Sequence, residues 1–94
     1  MSDEQQGDSM APVALSPDAA IDACGLACPL PLLKAKQALA GLDAGQLLEV
    51  MADDQGSWRD IGSFAEQSAH TLVHRECREH RYHFWIRKAG ERRP

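Results

Sequence analysis

Gly25-Leu26-Ala27-Cys28-Pro29-Leu30-Pro31 is the stretch on which the reading of this chain turns. Before it, Ala19-Ala20-Ile21-Asp22 has the character of a short strand. After it, apolar residues recur at helical spacing as far as Leu39. Gly25 supplies a flexible turn between the two. Pro29 and Pro31 both fall in the first helical turn, where a missing N–H costs little. Gly41 is the expected stop. At about 100° per residue, Leu32, Ala35, Ala38, Leu39 and Leu42 share one face, which should be the core side. Leu30 and Leu33 fall opposite, beside Lys34 and Gln37.

This places Cys28 where a strand turns into a helix. A group there faces backbone N–H groups without intrahelical partners and the positive end of the helix dipole. No Ser, Thr, Asp or Asn stands immediately before the helix, so the sulfur is the nearest polar atom to cap the N–H groups of Leu30 and Leu32. Such a setting lowers a cysteine pKa from about 8.5 toward or below neutrality, and the thiolate is the nucleophile. The expectation is therefore an acidic, reactive Cys28. The plainer alternative is a small buried hydrophobe.

Further along, Leu47 to Met51 reads as a buried strand introduced by the turn residues Asp43 and Gly45. Asp53 to Gly56 is a polar connection. A second helix is expected from about Ser57, its N-cap, to Ala69, with Trp58, Ile61, Phe64, Ala65 and Ser68 along one side. Thr71 to Glu79 and Arg81 to Lys88 read as two strands joined by a tight turn near His80. In the last, Tyr82, Phe84 and Ile86 alternate with His83, Trp85 and Arg87. The order βαβαββ implies an α+β two-layer sandwich, a four-stranded mixed sheet with both helices packed on one face. The strand order stays open.

Ninety-four residues make one small domain. The first 17, acidic and punctuated by Pro12 and Pro17, read as a disordered tail. The ordered domain should span 18–90, with 91–94 a flexible end. A net charge of −4 argues against a dedicated polyanion binder. No apolar run approaches the roughly 20 residues that cross a bilayer, and no secretory signal opens the chain, so a cytoplasmic protein is expected. Three cysteines, an odd number, fit reduced thiols better than a disulfide framework.

Among the other chemical residues, Cys24 could resolve Cys28 as a disulfide if the chain folds back at Gly25; its plainer role is strand-end packing. Cys77 reads as a structural residue on the strand side shared with Thr71, Val73 and Arg75. His74, Cys77, His80 and His83 lie close in sequence, yet alternation separates His74 from Cys77, so no metal site is expected. Trp85 with Arg81, His83 and Arg87 makes an aromatic-basic stripe, read as a solvated sheet face rather than a nucleic-acid platform. Leu30, Leu33 and Lys34 form a candidate docking patch within a turn of Cys28. Arg59 and Asp60 are either further docking residues or the ordinary start of a helix.

The run Asp22-Ala23-Cys24-Gly25-Leu26-Ala27-Cys28-Pro29-Leu30-Pro31, with Ala38-Leu39 closing the helix, resembles the signature of the TusA (SirA-like) sulfur-carrier family. Ala52-Asp53-Asp54 followed by Arg59-Asp60-Ile61 is similar to that family's second segment, as are Tyr82 and Ile86-Arg87-Lys88 near the end. The resemblance covers about Ala20 to Gly90 and implies the same βαβαββ fold. It also implies a sulfurtransferase acting as a carrier, in which Cys28 accepts sulfane sulfur as a persulfide. Pro29, Leu30, Pro31 and Leu32 are the supporting first turn. A cysteine desulfurase is the implied donor and a downstream protein the acceptor, serving tRNA thiolation, molybdenum cofactor assembly or another sulfur pathway. No cofactor and no metal is implied. The small size fits a monomer in transient complexes, without membrane or direct nucleic-acid contact. Two readings stand beside this one: a thiol-redox module using Cys24 and Cys28, and a small interaction domain using the Trp85 face.

Overall fold

In the computed structural model, which describes residues 16–90, the chain runs β1 (Ala19–Asp22), α1 (Leu30–Ala40), β2 (Leu47–Ala52), α2 (Gln55–Gln67), β3 (Thr71–Arg78) and β4 (Arg81–Arg87). Most of the expected acidic tail, residues 1–15, and the expected flexible end, residues 91–94, lie outside the described residues. The four strands form one mixed sheet in the order β1-β2-β4-β3. β1 pairs parallel with β2, whereas β4 is antiparallel to both of its neighbours. The β3–β4 hairpin thus folds its second strand back into the centre, and α2 carries the chain from β2 to the far edge. Glu79 and His80 turn the hairpin, both at positive φ, as a two-residue turn of this twist requires.

Both helices cover one face. Ala35 and Leu39 of α1 and Ile61 of α2 meet Leu48, Val50, Phe84 and Ile86 from the two central strands in a fully buried core. Leu32, Ala38 and Leu42 pack at its margin, so the apolar stripe of α1 faces inward along its whole length. Trp58 extends the core beneath α2, its ring centroid 5.6 Å from Tyr82 and 5.9 Å from Phe84. The Arg75 guanidinium covers the outer side of that ring at 4.1 Å and donates to the Trp58 carbonyl oxygen at 3.0 Å.

Three local expectations are corrected. α2 starts two residues before Ser57, because Asp54 is the N-cap and its carboxylate accepts the Gly56 N–H at 3.0 Å. Ser57 is instead buried, and α2 ends at Gln67 rather than Ala69. A bulge between Leu72 and His74 reverses the alternation of β3, so Cys77 faces the helix side with Arg75 while Thr71 faces away. Trp85, expected in solvent, is only 4% exposed. Its ring lies on the helix-free face between His74, at 5.3 Å, and His83, at 6.0 Å. A ring from its own strand and one from the neighbouring strand thus cover the indole, which is not presented for stacking on bases.

At the opposite edge, Nδ1 of His70 accepts the Ala89 N–H at 2.9 Å, tying the chain beyond β4 to the α2–β3 junction. Only an unprotonated nitrogen can accept. Burial first, then the Lys88 charge, holds the His70 pKa below the usual histidine value. A depressed folded-state pKa gives a contribution fully present above the unfolded value, about 6.5, and lost as pH falls through the folded one. The melting temperature should therefore fall on mild acidification, and His70→Ala should remove that component of the acid response.

Candidate functional site

Because β1 and β2 run parallel side by side, the loops leaving their C-terminal ends emerge together. One loop carries Cys28 into α1 and the other carries Asp53 and Asp54 into α2. Several hydrogen bonds fix the first loop. The Ala23 N–H donates to the Met51 carbonyl oxygen at 2.7 Å, extending the β1–β2 ladder by one residue. The Asp22 carboxylate accepts the Cys24 N–H at 3.0 Å, which holds the Asp22 carboxyl below its usual range. Gly25 turns the chain at φ 87° and donates its N–H to the Asp53 carboxylate at 2.9 Å, binding the two loops to each other.

Cys28 is exposed, two residues before α1, and the Cys28–Pro29 peptide is cis. Its sulfur does not cap that helix. Pro29 is the N-cap residue, and the Leu30 N–H is satisfied within the turn by the Ala27 carbonyl oxygen at 2.8 Å. The sulfur is directed instead across the gap to α2, where the Cys28 thiol donates a hydrogen bond to Oδ2 of Asp60. Gly56 makes this approach possible. A Cβ there would lie 3.2 Å from the Cys28 Cβ, 3.5 Å from its sulfur and 3.0 Å from the Asp54 carboxylate. The start of α2 is thus bare where the cysteine crosses it.

This arrangement overturns the expected acidity. The hydrogen bond to Asp60 pushes the Cys28 thiol above its usual pKa, aided by desolvation and by the charges of Asp60 and Asp54. Arg59 opposes the shift. A carboxylate that accepts the S–H proton stabilises the thiol and repels the thiolate. Cys24 is half-buried, and burial together with Asp22 also raises its pKa. Cys77 is exposed on β3.

Of the residues singled out from sequence, Cys28, Pro29 and Leu30 lie together at this end of the sheet, while Pro31 is buried beneath them and Leu32 half-buried. Leu30 and Leu33 are 44% and 43% exposed, large apolar side chains turned outward beside exposed Lys34. Arg59 is exposed at the start of α2. Asp60 touches the Cys28 sulfur, a role its placement among docking residues did not foresee. It also borders an open groove of about 400 Å³ between the helices, lined further by Leu32, Lys36 and Phe64. The structural parts of Asp53, Asp54 and Gly56 were missed as well; an Asp two residues ahead of Gly at a helix start was the available signal. Among the described residues, no group of three or more His, Cys, Asp or Glu side chains gathers in a metal-binding arrangement.

The Sulfurtransferase TusA family matches residues 19–88. The chain is 42% identical over 72 residues to the sulfur carrier protein TusA of Allochromatium vinosum, covering 77% of this chain and 95% of that one. It is 40% identical over 77 residues to the TusA of Pseudomonas syringae pv. syringae, covering 82% and 92%. Against the putative sulfur carrier protein YrkI of Bacillus subtilis it is 38% identical over 71 residues, covering 76% and 95%. A crystal structure of a SirA-like protein from Desulfitobacterium hafniense superposes with a TM-score of 0.68 at 28% identity, covering 77% of this chain and 99% of that one. With a match that runs from β1 to the end of β4 on a shared fold, this chain belongs to the TusA family of sulfur carriers.

Proposed function

We propose that the protein is a sulfurtransferase that accepts sulfane sulfur as a persulfide on Cys28 and relays it to an acceptor protein. The observation that carries this reading is the exposed sulfur of Cys28 in the Cys-Pro-x-Pro turn, held where the two loops meet. A carrier has to show one atom to two partners in succession, and a thiol on an open surface does so where a pocket would not. Pro29, Leu30, Pro31 and Leu32 support that atom as the turn behind it. Leu30, Leu33 and Lys34, with Arg59 across the gap, form the docking rim, and a cysteine desulfurase is the proposed donor. Downstream proteins in tRNA thiolation or molybdenum cofactor assembly are the proposed class of acceptor. No helix among the described residues is long and apolar enough to cross a membrane.

Incubation with a cysteine desulfurase and free cysteine, followed by alkylation and peptide mass mapping, should find one added sulfur on the Cys28 peptide. Cys28→Ser should abolish it and Cys24→Ser should retain it; labelling that follows Cys24 instead would refute the assignment. Before loading, the resting thiol should be protonated at neutral pH. The Cys28 alkylation rate should accordingly rise with pH through a midpoint above that of free cysteine, since the shift it suffers is upward.

A further inference from the structure

The contact between Cys28 and Asp60 has a chemical consequence beyond holding the thiol in place. Sγ is exposed to an incoming partner while its proton already points at a carboxylate oxygen. Asp60 is half-buried on the first turns of α2 and anchored by its helix, so the acceptor is fixed to the scaffold rather than free in solution. The charged groups facing the sulfur are Asp60 and Asp54 from the α2 side and Arg59 beside them. Of these, only Asp60 is hydrogen-bonded to it.

We infer that Asp60 is the proton acceptor and donor for sulfur transfer at Cys28, a catalytic residue in contact with the reacting atom. The inference rests on the carrier reading above. In the accepting step Sγ attacks the outer sulfur of a donor persulfide, R–S–SH, as its proton passes to Asp60. A new S–S bond forms at Cys28, the donor S–S bond breaks, and the departing R–S⁻ takes the proton back from Asp60. The sum is Cys28–SH plus R–S–SH giving Cys28–S–SH plus R–SH. The sulfane sulfur keeps its oxidation state, and no oxidant or reductant is consumed. Release runs the same way in reverse: an acceptor thiol, R'–SH, attacks the outer sulfur as its proton passes to Asp60, and Sγ takes that proton from Asp60 as it leaves, giving R'–S–SH and Cys28–SH. A thiol with a raised pKa is a poor leaving group as a bare thiolate, so proton return matters most in that half.

The role separates from plain positioning by comparing two reactions at the same sulfur. Alkylation by iodoacetamide expels iodide, which needs no proton, whereas persulfide exchange expels a thiolate, which does. Asp60→Asn keeps an oxygen that can accept the S–H hydrogen bond but removes the negative charge and the base that can take the proton, and should lower the thiol pKa. Each unit of that fall multiplies alkylation at neutral pH by roughly three to four, since added thiolate outruns the loss of intrinsic nucleophilicity. Loading from glutathione persulfide should move the opposite way, slowing by about tenfold or more, within reach of an ordinary general acid–base contribution. Asp60→Glu, which keeps a carboxylate, should restore part of the loading rate, and circular dichroism of each variant verifies the fold. If Asp60→Asn loads as fast as the parent, or if alkylation and loading fall together, the inference is overturned while the carrier reading stands. If the parent chain itself takes no sulfur from the persulfide, both fail.

Discussion

Parallel pairing of β1 with β2 is the constraint on which the site depends. Two adjacent parallel strands leave the sheet at the same end, and each here continues into a helix on the same face. Their connecting loops must therefore meet. The Gly25–Asp53 hydrogen bond joins them, Gly56 removes the side chain that would keep them apart, and Cys28 crosses from one to the other. Open α/β sheets generally place their chemistry at the carboxyl ends of strands for the same geometric reason. In this small domain the consequence is the Cys28 sulfur held at one corner, with the hydrophobic core below serving to hold two helix starts in register.

The electrostatics of that corner divide the labour of a carrier in an informative way. A helix start alone would have made Cys28 acidic, a good leaving group and an atom readily oxidised. The Asp60 carboxylate reverses this. A mostly protonated thiol is slow along the oxidation ladder, because sulfenic acid forms from the thiolate. Its small thiolate fraction is, however, intrinsically more nucleophilic than that of an acidic thiol. Such a sulfur rests quietly between encounters and reacts when its proton can be moved. Leu30 and Leu33 sit outward from it, so a partner that covers them also strips water from the Cys28–Asp60 pair and strengthens whatever charge interactions it makes there.

Much of this was written in local sequence. The stripe of Leu32, Ala35 and Leu39 gave the buried face of α1, and the Cys-Pro-x-Pro turn located the sulfur. What escaped involved partners far along the chain. Asp60 stands 32 residues from Cys28, and nothing near the cysteine announces a carboxylate that accepts its proton. The central position of β4 depends on pairings with both β2 and β3, which periodicity within one strand cannot report. The bulge at the start of β3 turned Cys77 to the helix side by a single inserted residue. Asp54 displaced Ser57 as N-cap because its carboxylate reaches the Gly56 N–H, a competition between two good capping residues that composition leaves undecided. Trp85 was buried between His83 on its own strand and His74 across the β3–β4 pairing, the second a matter of register.

Carriage requires that the same sulfur atom both receive and release its cargo. The most direct measurement is a single-turnover chase: the chain is loaded with radiolabelled sulfur, separated from the donor, and mixed with a protein or peptide thiol. If Cys28 is a carrier, the label moves to the acceptor as a persulfide and Cys28 returns to a free thiol. Release of the label as sulfide, with Cys28 left in a disulfide to Cys24, would contradict carriage and identify the pair as a redox couple.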